Sequence, residues 1–377
     1  MRRGVASSLP YDPASAFRAR HRDRSVKGMT DMARINPMRL TAAGLAAGMA
    51  FGASAAAAQQ AVQWELSVWG PPRAYTKSVE SLAAQVEEKT AGNFKIRIHY
   101  AEAISPAREN IDGIKLGAFE SASFCPSYHP GKNPAMTGLD LPFLPLSTLD
   151  SVYGTQSAYF EHPVVIDEMK RWNAIAYMAT PLPQYEFMGS GKAPETLEDW
   201  KGMRVRALGG IGEAMRELGA VPTTVPAPEI YTGLERGMIN AAAVAYTYMH
   251  ASYRLHEISS WYTDGLAPGT IGCGLVVNQD AYNRLPAEYR QILDDARPAA
   301  YEAMKQAYLD ADAVNIPTFE KMGLKRISYT PEQRAEFENR AAKPVWDKWV
   351  ADMDGRGLPG QELLDFILDE ARKHSGS

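Results

Sequence analysis

Residues 64–100 read WELSVWGPPRAYTKSVESLAAQVEEKTAGNFKIRIHY, and they decide the fold. Residues 64–69 alternate apolar and polar as a strand does, and Gly70-Pro71-Pro72 makes a turn. Val79, Leu82, Ala83 and Val86 then recur at helical spacing, up to a stop at Gly92. Phe94, Ile96, Ile98 and Tyr100 share one side of a second strand. Ser105-Pro106 opens another helix carrying Ile111, Ile114 and Leu116, and residues 118–125 read as a third strand. Strand, helix, strand, helix, strand is the signature of a parallel sheet.

The pattern returns downstream. Residues 203–207 form a strand, and Gly209-Gly210-Ile211-Gly212 leads into a helix with Met215 and Leu218, closed by Gly219. Residues 221–225 are extended, a helix runs from Pro228 to Gly237, and residues 238–246 are an apolar strand. Residues 287–322 carry one long helical pattern that Pro298 and Pro317 should kink or split. Two shorter helices are expected near 331–353 and 361–373. The expected fold class is α/β, with two lobes braced by helices. The lobes divide as 59–182 (first lobe), 183–250 (core of the second), 251–285 (return strands and hinge) and 286–377 (bracing and C-terminal helices).

The 377 residues are 45% hydrophobic, 22% charged and 10% aromatic, an ordinary balance for a folded chain and enough for two domains. Residues 1–58 hold nine Lys/Arg and three acids; the remainder keeps 31 basic against 41 acidic residues, a net of −10. So acidic a body is a poor partner for nucleic acid. Residues 40–58, LTAAGLAAGMAFGASAAAA, carry no charge, follow Arg34 and Arg39, and end in small residues. This is a secretory signal peptide, with cleavage expected after Ala58 and the true start at Met29, Met32 or Met38. Ala and Gly are only weakly apolar, which disfavours a membrane anchor, and no Cys offers a lipid attachment point.

Catalytic patterns are missing. The mature histidines are scattered, Cys125 and Cys273 fit no zinc spacing, and whether they pair is left open. Gly189-Ser-Gly-Lys192 lacks the upstream Gly and the Ser/Thr of a phosphate loop. An exported α/β chain of this kind points to binding, without cofactor or metal. One place favours an anion: Arg204 and Arg206 share a strand face just before Gly209-Gly210, which opens a helix. Free N–H groups at a helix start and a guanidinium fork both suit a carboxylate. Alternation alone does not choose between the two arginines.

The ordered set of residues 200–206 (WKGMRVR), Leu218-Gly-Ala220, Glu229-Ile-Tyr-Thr-Gly-Leu234 and Gly237 resembles the DctP-type solute-binding proteins of TRAP transporters. Residues 139–144 (LDLPFL), Val277-Asn278 and Leu285-Pro286 match further landmarks. The resemblance implies a periplasmic clamshell of the type II binding-protein kind with a long bracing helix. It also implies an organic-acid ligand and membrane permease subunits as partners; a monomer is expected, although the sequence itself does not fix the oligomeric state. The family's carboxylate-clamping arginine falls on Arg206. Its second arginine falls near Tyr185, its polar run becomes Asn240-Ala-Ala-Ala-Val244, and an aromatic becomes Ala227. Each lost charge-assisted partner removes about 1.5–3 kcal/mol. The expected ligand is therefore a monocarboxylate with an apolar or aromatic body, held among Trp69, Tyr75, Tyr128, Tyr185, Phe187, Tyr246 and Tyr248, with Arg73 standing in for the missing arginine. Rival readings are a sensory ligand-presenting protein and an exported α/β hydrolase or isomerase.

Overall fold

The computed structural model describes residues 61–375; the leader and the cleavage point after Ala58 lie outside them. The strands are β1 (Val62–Ser67), β2 (Phe94–His99), β3 (Ser121–Phe124), β4 (Ala174–Ala179), β5 (Tyr185–Gly189), β6 (Arg204–Arg206), β7 (Val221–Thr223), β8 (Ala241–Ala245), β9 (Trp261–Asp264), β10 (Gly274–Asn278) and β11 (Lys325–Ser328). The first six helices are α1 (Lys77–Lys89), α2 (Asn110–Leu116), α3 (Leu149–Phe160), α4 (Pro163–Lys170), α5 (Gly209–Glu217) and α6 (Ile230–Glu235). They are followed by α7 (Tyr248–Ser252), α8 (Gln279–Arg284), α9 (Ala287–Asp295), α10 (Arg297–Lys321), α11 (Pro331–Gly355) and α12 (Gly360–His374).

Two sheets result, ordered β2-β1-β3-β10-β4 and β11-β9-β5-β8-β6-β7. In the first, β1 runs parallel to β2 and β3, and β10 lies antiparallel between β3 and β4. In the second, β6 runs parallel to β7 and β8, and β5 lies antiparallel between β8 and β9. Each sheet is thus a parallel stack with one reversed strand. The residues between β8 and α8 supply one strand to each sheet, so the chain crosses between them there.

Local chemistry places these elements. Val79, Leu82 and Val86 are buried on one face of α1, as their spacing requires. Thr148 accepts from the Ser151 amide to start α3, and Thr330 does the same with Gln333 before Pro331 in α11. Gly117, at φ 66°, ends α2 in the left-handed region. Leu116, expected on the apolar face of α2, is instead 82% exposed at the last turn.

The tail differs from its sequence reading in three ways. The long pattern breaks into α9 and α10, with Pro298 in the first turn of α10, whereas Pro317 stays inside that helix. α11 starts at Pro331 as expected, but its 25 residues equal those of α10 because the long pattern is divided. β11 interrupts the helical tail and pairs in parallel with β9. α10 packs against α1 beside the first sheet and against α7 beside the second. No helix among the described residues is long and apolar enough to cross a membrane.

Candidate functional site

A small cavity, of about 20 Å3, lies where the two sheets face each other. Trp69, Arg73, Tyr75, Tyr128, Tyr185 and Arg206 line it, and Leu182, Leu208, Tyr248, Met249 and the Cys125–Cys273 disulfide close the apolar remainder. Most of these residues follow the carboxyl end of a strand. Trp69 and Arg73 come after β1, Cys125 and Tyr128 after β3, Leu182 after β4, and Tyr248 and Met249 after β8. Tyr185 and Cys273 instead stand at or just before the start of the two reversed strands, which puts them at the same sheet edge. Ligands of open α/β sheets collect at that edge.

Two guanidiniums enter this cavity. Arg206, at the end of β6, is completely buried. Its Nε donates to the Val225 carbonyl at 2.9 Å and Nη1 to that of Ala243 at 2.7 Å, while Nη2 is buried without a partner. Arg73 is 8% exposed; Nη1 donates to the carbonyls of Trp69 at 2.7 Å and Pro71 at 2.9 Å, and Nε has no partner. None of the residues lining the cavity is acidic. Two positive charges in an aromatic wall, each with a donor unused, make a setting that an anion satisfies.

Residues 67–352 match the DctP family, the bacterial extracellular solute-binding proteins of family 7. The chain belongs to that family. As a family 7 solute-binding protein it is 26% identical, over 310 residues, to a monocarboxylate 2-oxoacid-binding periplasmic protein of Nostoc sp., covering 77% of this chain and 84% of the relative. It is 23% identical over 287 residues to the 2,3-diketo-L-gulonate-binding periplasmic protein of Escherichia coli, covering 75% and 84%. Among solved structures it superposes on a TRAP solute-binding protein of Rhodoferax ferrireducens in complex with copurified benzoate. That match has a TM-score of 0.76 at 21% identity and covers 83% of this chain and 98% of the other. A marine metagenome TRAP protein specific for aromatic acid ligands, co-crystallised with 3-hydroxybenzoate, gives a TM-score of 0.74 at 21% identity, covering 84% and 99%. These likenesses give the two-lobed α/β clamshell.

In this solute-binding protein the structure gathers Arg206, Arg73, Trp69, Tyr128 and Tyr185, with Tyr75 and Tyr248, around one space. It does not bring Phe187 or Tyr246 there. Phe187 is buried in the second sheet's core with its ring 4.6 Å from that of Trp200. Tyr246 stacks on Tyr262 and meets His250 edge-on. Both are packing aromatics, which their residue type alone does not reveal. Arg204 lies two residues back along β6, about 6.6 Å away. It is exposed and donates to the Gly237 carbonyl, outside the cavity.

The glycines that open α5 also serve a close approach of backbone to backbone. A Cβ on Gly210 would stand 2.5 Å from the Asp140 carbonyl oxygen, and one on Gly209 would stand 2.6 Å from Ser127 Oγ. These glycines let the helix press against residues 140–142. Asp140 itself accepts from Ser127 Oγ and, at 2.8 Å, from the Gly272 amide; burial pushes its carboxyl up to about 7. No group of three or more His, Cys, Asp or Glu among the described residues is placed to hold a metal.

Leu182, Leu208, Met249 and the disulfide are absent from the sequence-based site. Leu182, Leu208 and Met249 all lie within four residues of a strand's carboxyl end, a positional signal that the residue types do not advertise.

Proposed function

We propose that this protein captures a monocarboxylate with an apolar or aromatic body between its two sheets and delivers it to a TRAP-type membrane permease. The observation that carries this reading is the unpartnered Nη2 of fully buried Arg206 in an aromatic cavity without an acidic wall. Two of the three guanidinium nitrogens are fixed by backbone carbonyls, so the third is aimed before ligand arrives. Closure of the lobes removes water and strengthens the ion pair. Arg73 is the second cation, and Trp69, Tyr75, Tyr128, Tyr185 and Tyr248 cover the ligand body. No bond is made or broken. The names of the monocarboxylate-binding and benzoate-bound relatives support the same class. Export to the periplasm, with cleavage after Ala58, belongs to this proposal.

The test is a thermal-shift screen of mono- and dicarboxylates on the mature chain, followed by calorimetric titration of the best binder. An aromatic or branched monoacid is expected to bind most tightly. Arg206→Ala is expected to weaken it at least a hundredfold, because a desolvated carboxylate loses its partner. A C4-dicarboxylate preferred by a wide margin, or an Arg206→Ala variant with parental affinity, would refute the reading.

A further inference from the structure

We propose that Tyr253 is a positioning residue that latches the cleft: it crosses from the second sheet to hold Arg73 in place and thereby slows ligand escape. This rests on the ligand reading above but concerns a residue outside the cavity wall. Tyr253 follows α7, and its amide donates to the carbonyl of Met249, which lines the cavity. Arg73 and Gly70 belong to the loop after β1, in the first sheet. The Arg73 guanidinium carbon lies 5.7 Å from the Tyr253 ring centroid and 5.0 Å from that of Tyr75. The cation is therefore covered by one ring from its own side of the cleft and one from the other. Such contacts strengthen as water is excluded.

Gly70 shows how closely the latch is fitted. A Cβ at this position would stand 2.3 Å from Tyr253 Oη and 3.1 Å from Arg73 Nη1. Its φ of 70° also lies where a side chain is strained. Glycine lets the phenol lie on the backbone of the loop that carries Arg73. The Tyr253 hydroxyl is buried without a partner, and burial raises its pKa to about 12, so the ring meets Arg73 uncharged. Two polar contacts also cross the cleft: Arg108 donates to the Thr224 carbonyl at 2.9 Å, and Tyr128 Oη accepts from the Ala227 amide at 3.1 Å. Water replaces those partners when the cleft opens. It replaces the ring over Arg73 less well, so the latch biases Arg73 toward the closed state.

The experiment uses the mature chain with benzoate as probe. Affinity and dissociation rate are measured, together with the distance between spin labels at Leu116→Cys and Met238→Cys, both exposed positions, with and without benzoate. Tyr253→Leu is expected to raise Kd at least tenfold, mainly through faster dissociation, and to lengthen the label distance. Gly70→Ala should do the same. Adding Tyr253→Phe to Gly70→Ala removes the oxygen of the closest clash and should recover part of the affinity, a rescue that general destabilisation does not give. Parental Kd and distances in Tyr253→Leu, or no recovery in the double variant, would overturn the latch. Arg206→Ala run alongside separates the two ideas: if it binds benzoate normally, the carboxylate reading fails, whereas a loss confined to Arg206→Ala leaves that reading standing and removes the latch.

Discussion

Glu186 shows at the residue scale how little a residue's type reveals about its task. It sits on β5, the strand that Tyr185 begins, but is buried in the second sheet's support. It accepts from Thr263 Oγ1 and from the amides of Gly265 and Ala267, each at 2.9 Å. Burial nevertheless outweighs these donors and pushes the carboxyl up to about 7. A raised acid favours the folded state fully below its unfolded value near 4.5, and this contribution is lost as pH rises toward 7. Buried His129 and His250, lowered to about 4 and 3, act in the opposite direction, so whole-protein stability does not isolate Glu186. The difference from Glu186→Gln does. Its melting midpoint relative to the parent is expected to climb between pH 5 and 7.5, and a pH-independent difference would show Glu186 ionised throughout. The residues themselves narrow the anion site to Arg204 or Arg206, on one face of the strand before α5, and only the family resemblance picks Arg206. Phe187 and Tyr246 were not separable from Tyr185 and Tyr248, since core and cavity bury aromatics alike.

At the scale of elements, β1 through β3 and β6 through β8 follow from apolar periodicity, and their parallel pairing follows from the helices between them. β11 did not, because Lys325, Arg326 and Ser328 are exposed on this edge strand and only Ile327 is buried. At the opening of α5, paired glycines suit an anion site and a close backbone approach alike, and the structure shows the approach, against residues 140–142. The cysteines were undecided because pairing depends on the reversal of β10, which no local pattern announces. Their bond ties the end of β3 to the start of its neighbour β10, closing a sequence separation of 148 residues. Long closed loops restrict the unfolded chain most, although strand pairing already aligns these ends. Cys125→Ala with Cys273→Ala is expected to cost about 2–4 kcal/mol in urea unfolding. It should also loosen ligand binding, since the disulfide lines the cavity. A loss below about 0.5 kcal/mol would mean that sheet pairing alone holds this edge.

For the whole molecule the question is what transmits ligand capture to both halves. α10 spans 25 residues, about 37 Å, and touches helices beside each sheet. Tyr308 on this helix is buried, with its ring 4.8 Å from that of Tyr248 and its hydroxyl donating to the Pro181 carbonyl at 3.3 Å. Tyr248 and Leu182, the residue after Pro181, both line the cavity, so Tyr308 backs two of its walls at once. Truncating it leaves a void behind the site, and Tyr248 gains room to turn away from the ligand. Tyr308→Ala is therefore expected to lose about 3–5 kcal/mol of stability and also to weaken benzoate binding. Tyr308→Phe keeps the ring and removes the long hydrogen bond to Pro181 and the hydroxyl's bond with Tyr248, about 0.5–1.5 kcal/mol each, and should bind much closer to the parent than Tyr308→Ala does. Val314→Ala, on the same helix but 65% exposed, should change stability by less than about 0.5 kcal/mol. Urea unfolding and titration on the three variants check this together. If Tyr308→Ala is destabilised but keeps the parental Kd, α10 braces the fold without shaping the cavity, and the link between ligand and bracing helix is broken.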